Sequence, residues 1–472
     1  MRIFIKTLFV MVSLSILLTS CEKMVEGINE NPNNLVQADI EARLLLTGAQ
    51  LANTVAQASH TNRIAAMYSG QLIGFQSLYS NIYGYALSTA ESDQTWSRTY
   101  VGCIPNVRAI RNMVPDDNLM VGICKVMEAH VIGSAASVFG DIPYSEINNP
   151  DIHDPVFDSQ ASVFTAVIAL LDDAITDLNG ADPGRSIDED IHFSGDRNNW
   201  IATANTLKAR YLLQMKNYSA AYTAAESGIS SYDGNYSFWP IGNEGTVGDK
   251  NMYYTMITGS REGDIGTGNS YLIQLLDTVS GISRNNAKTV EYARFHYSTI
   301  IEDPGPSNIG IAAEFEPQEL VSFEENTLIL AECAARNTGL AAGLVHLNEL
   351  RAWLNTGGRL NAAFADSTYL YIPYVAADFA SGGMENIDGI DDTRALLREI
   401  IEERYISGFG TFMPFNDVRR LRASDSDLVV PFPLNPGGVQ QPERLPYGEI
   451  EINANGNIDE DPGLYVVTEV NQ

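Results

Sequence analysis

Apolar residues recur along this chain with the 3.6-residue period of a one-sided helix, over most of its length. Asp39 to Ala58 sets Leu44, Leu45, Ala49, Leu51, Ala52 and Val55 on one stripe. Thr95 to Met113, Met120 to Phe139, Ser162 to Leu178, Trp200 to Met215 and Ser219 to Ile229 read the same way. So do Ser270 to Leu276, Phe323 to Arg336, Leu340 to Leu354 and Thr393 to Tyr405. Strand signals are few and short. Stretches rich in Gly, Asn, Asp and Pro separate the helices at 180–199, 231–250, 302–317, 366–392 and from 424 onward. Loops of that length inside a compact domain usually carry function. The pattern predicts a mostly α fold with little β.

Two helical pairs carry small residues at spacings of three, nine and four. They are Ala209, Leu212, Ala221 and Ala225, and then Ala331, Ala334, Gly343 and Leu347. This is the spacing of a tetratricopeptide unit, in which a small side chain lets the second helix approach the first closely. The units span about 200–231 and 323–355, and 122 residues separate Ala209 from Ala331, so they are not in tandem. The expected architecture is a right-handed superhelix of tetratricopeptide-like hairpins. It carries a loop-rich ligand-binding region, with insertions at 66–100 and 231–320.

Charge narrows the function. The chain has 59 acidic and 29 basic side chains, a formal charge of −30. A nucleic-acid binder needs the opposite balance to neutralise phosphates. Apolar content of 45% argues against disorder, and four cysteines in 472 residues cannot form a disulfide scaffold.

The N-terminus reads as an address. Arg2 and Lys6 precede the uncharged apolar run Thr7 to Leu18, which is too short to span a bilayer at ~20 residues and suits a secretory signal peptide. Leu18-Thr19-Ser20-Cys21 follows, with small residues before a cysteine, as in a bacterial lipobox. The implied chemistry is removal of residues 1–20 and thioether lipidation of Cys21, an anchor that holds durably because each buried methylene adds ~0.8 kcal/mol. Residues 21–38 then form a polar tether, and 39–472 one helical domain. Of the remaining cysteines, Cys103 and Cys124 could bridge in an oxidising compartment, and Cys333 lies in an Ala-rich helix where a buried thiol is expected.

Catalytic signatures are sparse. Glu324-Glu325 and Asp172-Asp173 are carboxylate pairs, but neighbours on a helix point different ways, and a glycosidase needs two carboxylates ~5–9 Å apart across a cleft. They read as solvated faces. The six histidines (His60, His130, His153, His192, His296, His346) form no metal or triad motif. Gly263-Asp264-Ile265-Gly266-Thr267-Gly268 lacks the lysine of a phosphate loop. Glu451-x-Asn453-x-Asn455-Gly456, with Ile458 and Asp459, is similar to a calcium loop. Pro462 stands where the bidentate glutamate belongs, so the segment reads as a turn, with structural calcium the only cofactor to weigh.

Several segments, in order, resemble the SusD/RagB family of outer-membrane nutrient-binding lipoproteins. They are the lipobox with Ile28-Asn29-Glu30-Asn31-Pro32-Asn33, the Trp96-xxx-Tyr100 helix, Phe139-Gly140-Asp141-Ile142-Pro143-Tyr144, and Leu207-Lys208-Ala209-Arg210-Tyr211-Leu212. Leu330-Ala331-Glu332-Cys333-Ala334 with Leu347-Asn348-Glu349-Leu350-Arg351 continues the series. Ile400-Ile401-Glu402-Glu403-Arg404-Tyr405 then leads to Asp417-Val418-Arg419-Arg420, and Arg444-Leu445-Pro446-Tyr447 precedes Glu449-Ile450 and Asn453. One departure is Phe415-Asn416-Asp417, where the family often has a Trp-Asp pair. The resemblance implies a surface-exposed protein that binds a nutrient, most often a glycan, and caps a SusC-like TonB-dependent transporter without catalysis. The tetratricopeptide side would face that partner. A scaffold that holds only protein partners is the alternative.

Glycan binding needs flat aromatic platforms and planar hydrogen-bonding groups, with stacking adding about 0.5–1.5 kcal/mol beyond area burial. The densest candidate runs from Phe75 through Gln76, Tyr79, Asn81, Tyr83, Tyr85 and Asp93 to Trp96, although the helical spacing of Trp96 to Tyr100 also suits packing. The second contains Trp239, Asn243, Asn251, Tyr253 and Tyr254 beside Arg261. Tyr369, Tyr371 and Tyr374 form a third set.

Overall fold

The computed structural model describes residues 41–472 apart from 148, 150, 242–249 and 459. The leader, Cys21, the tether, Asn243 and Asp459 lie outside the described residues.

Helices α1 (Ala42–Ala58), α2 (His60–Tyr68), α3 (Ile104–Met113), α4 (Asn118–Phe139), α5 (Gln160–Gly180), α6 (Arg197–Gln214) and α7 (Tyr218–Ala225) come first. After a long excursion follow α8 (Phe323–Thr338), α9 (Leu340–Leu354), α10 (Asp392–Ser407) and α11 (Met413–Arg422). From α3 to α9 each helix packs on the next, and α3 also packs on α1. In addition α1 touches α4, α4 touches α6, and α6 touches α8. Those four therefore form the inner row of a stack of hairpins, with α3, α5, α7 and α9 outside.

Both sequence-predicted hairpins are present, and two more (α1 with α3, α4 with α5) precede them. The predicted pair is adjacent in space despite its separation in sequence. Ala209, Leu212, Ala221 and Ala225 share one apolar cluster with Ile329 and Cys333 of α8. The intervening excursion closes on itself, because Tyr236–Phe238 pairs antiparallel with Gln318–Val321. Small residues set the close approaches. A Cβ on Gly343 would stand 2.6 Å from the Ala335 Cβ and 2.9 Å from the Ala331 carbonyl oxygen. Gly133 on α4 makes room for the Tyr211 ring of α6, whose hydroxyl donates to the carbonyls of Ala129 and His130 at 3.2 Å. By length and composition α4 could cross a membrane, but 94% of its most apolar window is buried in the protein.

Helix ends follow local chemistry. Ser322 accepts from the Glu325 amide at the start of α8, and Asp391 from the amides of Thr393 and Arg394 at the start of α10. The predicted helix over Thr95–Met113 is broken instead into Asp93–Ser97, a π-type turn at Arg98–Cys103, and α3. Pro105, in the first turn of α3, cannot donate to the preceding turn and its ring crowds that turn's carbonyl.

Buried charge joins α8, α10 and α11. Glu332 receives Arg420 at 2.9 Å, Arg336 at 2.8 Å, and Arg404, while Asp417 receives Arg404 at 2.6 Å and Arg420 at 2.9 Å. Burial alone would raise the Glu332 carboxyl; Arg420, Arg404 and Arg336 hold it well below the usual carboxylate range.

Three expectations are corrected here. Glu324 and Glu325 are not solvated: both are buried, Glu324 paired with Arg359 and Glu325 with Arg210 at 2.5 Å. Helical neighbours do diverge, and each meets its own arginine on a different side. Cys103 and Cys124 are separate buried thiols, as is Cys333. Tyr371 and Tyr374 belong to the core, with the Arg351 guanidinium 3.7 Å from the Tyr374 ring centroid.

Candidate ligand-binding groove

The family-like motifs, far apart in sequence, meet around Trp96. Its ring centroid lies 5.0 Å from Tyr100, 5.3 Å from Phe139 and 5.8 Å from Tyr447. The Trp96 indole N–H donates to Glu451 at 3.1 Å, and the Tyr100 hydroxyl to the Pro143 carbonyl at 2.9 Å. Trp96 thus clamps the C-terminal segment to the helical stack and presents no ring face to solvent. Glu451 also accepts from Asn455 at 2.8 Å, whose side chain donates to Pro155 as well; the predicted turn at 455–457 docks there. Among the described residues no group of three or more His, Cys, Asp or Glu could hold a metal ion.

The two aromatic segments singled out in the sequence come together. Ile73–Gly74 pairs antiparallel with Ile265–Gly266, the Phe75 amide donates to the Asp264 carbonyl at 2.9 Å, and the Gln76 amide side chain to the Glu262 carbonyl at 3.4 Å. Phe75, Gln76 and Arg261 form one exposed patch. Arg261 is tied to Asp264 at 3.2 Å. Asn81 is exposed and Tyr83 half-buried.

Other candidates turn inward. Tyr79 is buried, its hydroxyl 2.8 Å from His60 Nδ1 and 3.2 Å from Arg63 Nε, while His60 Nε2 lies 2.7 Å from Glu91. Burial, with Arg63 next, lowers the His60 imidazole below its ordinary value. Neutral His60 with its proton on Nε2 satisfies every group in this relay. Asn251 is buried as the N-cap of the Met252–Ile257 helix, accepting from Tyr253 and Tyr254 amides and donating to the Ile311 and Glu316 carbonyls. Tyr253 is buried and donates to Asn62 at 3.2 Å. In these positions Tyr79, Trp96, Asn251 and Tyr253 support the loops and offer no stacking face. The sequence could not separate them from exposed neighbours, because the helices that bury them are short.

Beside these segments lies an open groove of about 610 Å³. Leu51, Ala52, Val55, Phe238 and Met252 give it apolar lining; Arg98, Asn106, Lys250 and Thr255 give it polar groups. The break before Pro105 shapes it: Gly102 comes so close to α1 that a Cβ there would sit 2.9 Å from the Ala52 Cβ. Arg98 has no hydrogen-bond or ion-pair partner among the described residues, and Asn106 spends one amide proton on the Gly102 carbonyl at 2.7 Å. Lys250 pairs with Glu314 at 2.6 Å and sits 5.6 Å from the Tyr254 centroid. Trp239, next to the lining residue Phe238, is 53% exposed. Arg98 and Asn106 escaped the sequence reading because a regular helix would have carried them past one another; only Pro105 signalled the break.

The family described as SusD-like, "starch-binding associating with outer membrane", matches residues 32–238. No curated protein sequence matches the chain. Among solved structures, a SusD/RagB family protein from Bacteroides thetaiotaomicron is 19% identical with a TM-score of 0.65, covering 89% of this chain and 95% of its own. A chitin-binding SusD homolog from Flavobacterium johnsoniae is 18% identical with a TM-score of 0.62, covering 91% and 97%. A SusD homolog from Bacteroides uniformis is 15% identical with a TM-score of 0.64, covering 92% and 100%. At such identities these structures show that the chain has their fold, and residues 32–238 are similar to the SusD-like family.

Proposed function

We propose that the protein binds a carbohydrate chain in the groove lined by α1, the Arg98–Cys103 turn and the Met252–Ile257 helix. In this reading it works at the outer membrane as a lipoprotein anchored through Cys21, and hands its cargo unaltered to a SusC-like TonB-dependent transporter. The groove carries the reading. Its apolar surface suits the C–H face of a sugar, its free guanidinium and amide suit paired hydroxyls, and the exposed Trp239 follows its lining residue Phe238 in the chain. The family description and the chitin-binding relative support a glycan as cargo. Phe75, Gln76, Asn81, Tyr83 and Arg261 extend the binding face beyond the groove. Glu324 and Glu325 are locked in buried ion pairs and do not form the facing carboxylate pair of a glycosidase.

Titration of the purified protein with starch and chitin oligosaccharides, followed by recovery of the ligand, tests this. Saturable binding with ligand returned intact is the expected result. Turnover contradicts the reading, and silence across a broad glycan array with a persistent transporter complex favours a protein scaffold.

A further inference from the structure

A second cavity, sharing no lining residue with the groove, opens on α10. It holds about 410 Å³ and is lined by Ala395, Arg398, Glu399 and Glu402, one face of the helix at 3.6-residue spacing, together with Met384, Glu385, Ile387 and Asp388.

The charges beneath it do not balance. Arg284 meets Glu399 at 2.6 Å, Glu403 at 2.7 Å, and Glu291 and Glu402 at 3.2 Å, while Arg294 meets Glu291 and Glu403 at 2.7 Å. Two guanidinium groups thus pair with four carboxylates; the buried Arg351 also acts on Glu399 but donates its hydrogen bonds to the Ile372 and Lys288 carbonyls and the Thr289 hydroxyl. Glu291 and Glu403, the pair that both arginines serve, are fully enclosed. The deficit falls on Glu399 and Glu402, and these two line the cavity. Glu399 is 6% exposed; Arg284 takes its Oε1, and its Oε2 has no hydrogen-bond donor among the described residues. Glu385, also in the lining, gives its Oε1 to Asn286 and Tyr374. Arg398 compensates only in part: Asp388 and the Glu385 carbonyl hold its guanidinium, which acts on Glu402 and Glu385 through space without a hydrogen bond to either carboxylate. A buried carboxylate without its countercharge is costly. A metal ion does not fit the deficit, because the carboxylates do not converge as ligands. A cation with several N–H donors and an apolar body does, with Met384 and the 86% exposed Ile387 in the lining.

We propose that this cavity binds an organic ammonium ion, which completes the charge set of Glu399 and Glu402. In the empty protein, burial pushes the Glu399 carboxyl up to about 8, with Arg284 opposing and Glu385 and Glu402 reinforcing; burial also raises Glu402. Burial thus favours the protonated form of Glu399. The incoming ammonium displaces that proton to solvent, so binding tightens as pH rises toward 8.

Calorimetry of the purified protein at pH 7, in two buffers of different ionisation heat, tests this with n-butylamine, glucosamine, N-acetylglucosamine and calcium chloride as probes. The expected result is saturable binding of an amine with release of a proton, weakened at least tenfold in the Glu399→Gln/Glu402→Gln variant. Binding of n-butylamine indicates a general amine site, and binding of glucosamine alone indicates an amino sugar. The proposal is overturned if neither amine saturates, if N-acetylglucosamine binds as tightly as glucosamine, or if calcium binds and the amines do not. Proton release is read on the unaltered protein, so the test survives a variant that does not fold.

Discussion

Arg420 of α11 places its Nη1 2.9 Å from Oε1 of Glu332 in α8, both side chains buried. Sequence puts these residues 88 positions apart, and the ion pair fixes the C-terminal helices to the stack of hairpins. Glu332→Ala leaves three arginines around an empty carboxylate site and is expected to cost about 3–5 kcal/mol of stability, read from denaturant midpoints. The depressed Glu332 carboxyl stabilises the fold above the ordinary carboxylate range, and that contribution is lost as pH falls below it. The acid limb of the wild-type stability curve should accordingly flatten in the variant.

The Gly343 contact sets how closely α9 lies on α8. Gly343→Val pushes a side chain into the Ala331 carbonyl and the Ala335 methyl, both part of the helical frame. A loss of about 1–3 kcal/mol is expected, with helical circular dichroism retained below the melting transition. Gly339→Ala is a poor control because Gly339 has φ 112°; Gly48→Ala, with open space around its Cβ, should cost far less.

His60 is neutral in the fold because it is buried and beside Arg63. Its imidazole titrates below the ordinary value of about 6.5, so the unfolded chain binds a proton the folded one refuses. Stability from this group is full above about pH 6.5 and falls as pH drops toward the folded value. A nitrogen-detected NMR titration should find the His60 imidazole titrating below the ordinary value, with the neutral form carrying its proton on Nε2. Titration at or above the ordinary value contradicts the Glu91–His60–Tyr79 arrangement.

Much of the frame was legible because periodicity reports helices whose stripe meets a single neighbour. The spacing of Ala331, Ala334, Gly343 and Leu347 located a true hairpin. Tandem stacking was hidden by the excursion between α7 and α8, whose closing strand pair involves Tyr236 and Val321 and has no local signal. The site was harder. Tyr79 and Phe75 have similar sequence surroundings, yet one is sealed by His60 and Arg63 and the other faces solvent. Glu324 and Glu325 look like surface charges until Arg359 and Arg210 arrive from distant segments. Such long-range partners decide burial, and periodicity carries no information about them.

In the proposed reading, anchoring rests on one side chain. Cys21→Ser removes the thiol that would take the lipid, so the protein should move from the membrane fraction to the soluble fraction. Mass spectrometry should show the wild-type chain beginning at an acylated Cys21. A wild-type chain that retains residues 1–20 contradicts the anchor.

The central claim is that the groove holds a sugar chain, and oligosaccharide binding by groove variants tests it most directly. Trp239→Ala and Arg98→Ala remove a stacking face and a free guanidinium from exposed positions, so the fold should melt unchanged. We expect each to weaken binding of the preferred oligosaccharide about tenfold, a loss of about 1.4 kcal/mol. Unchanged affinity in the double variant, with binding intact in the wild type, would place the sugar elsewhere and contradict this account.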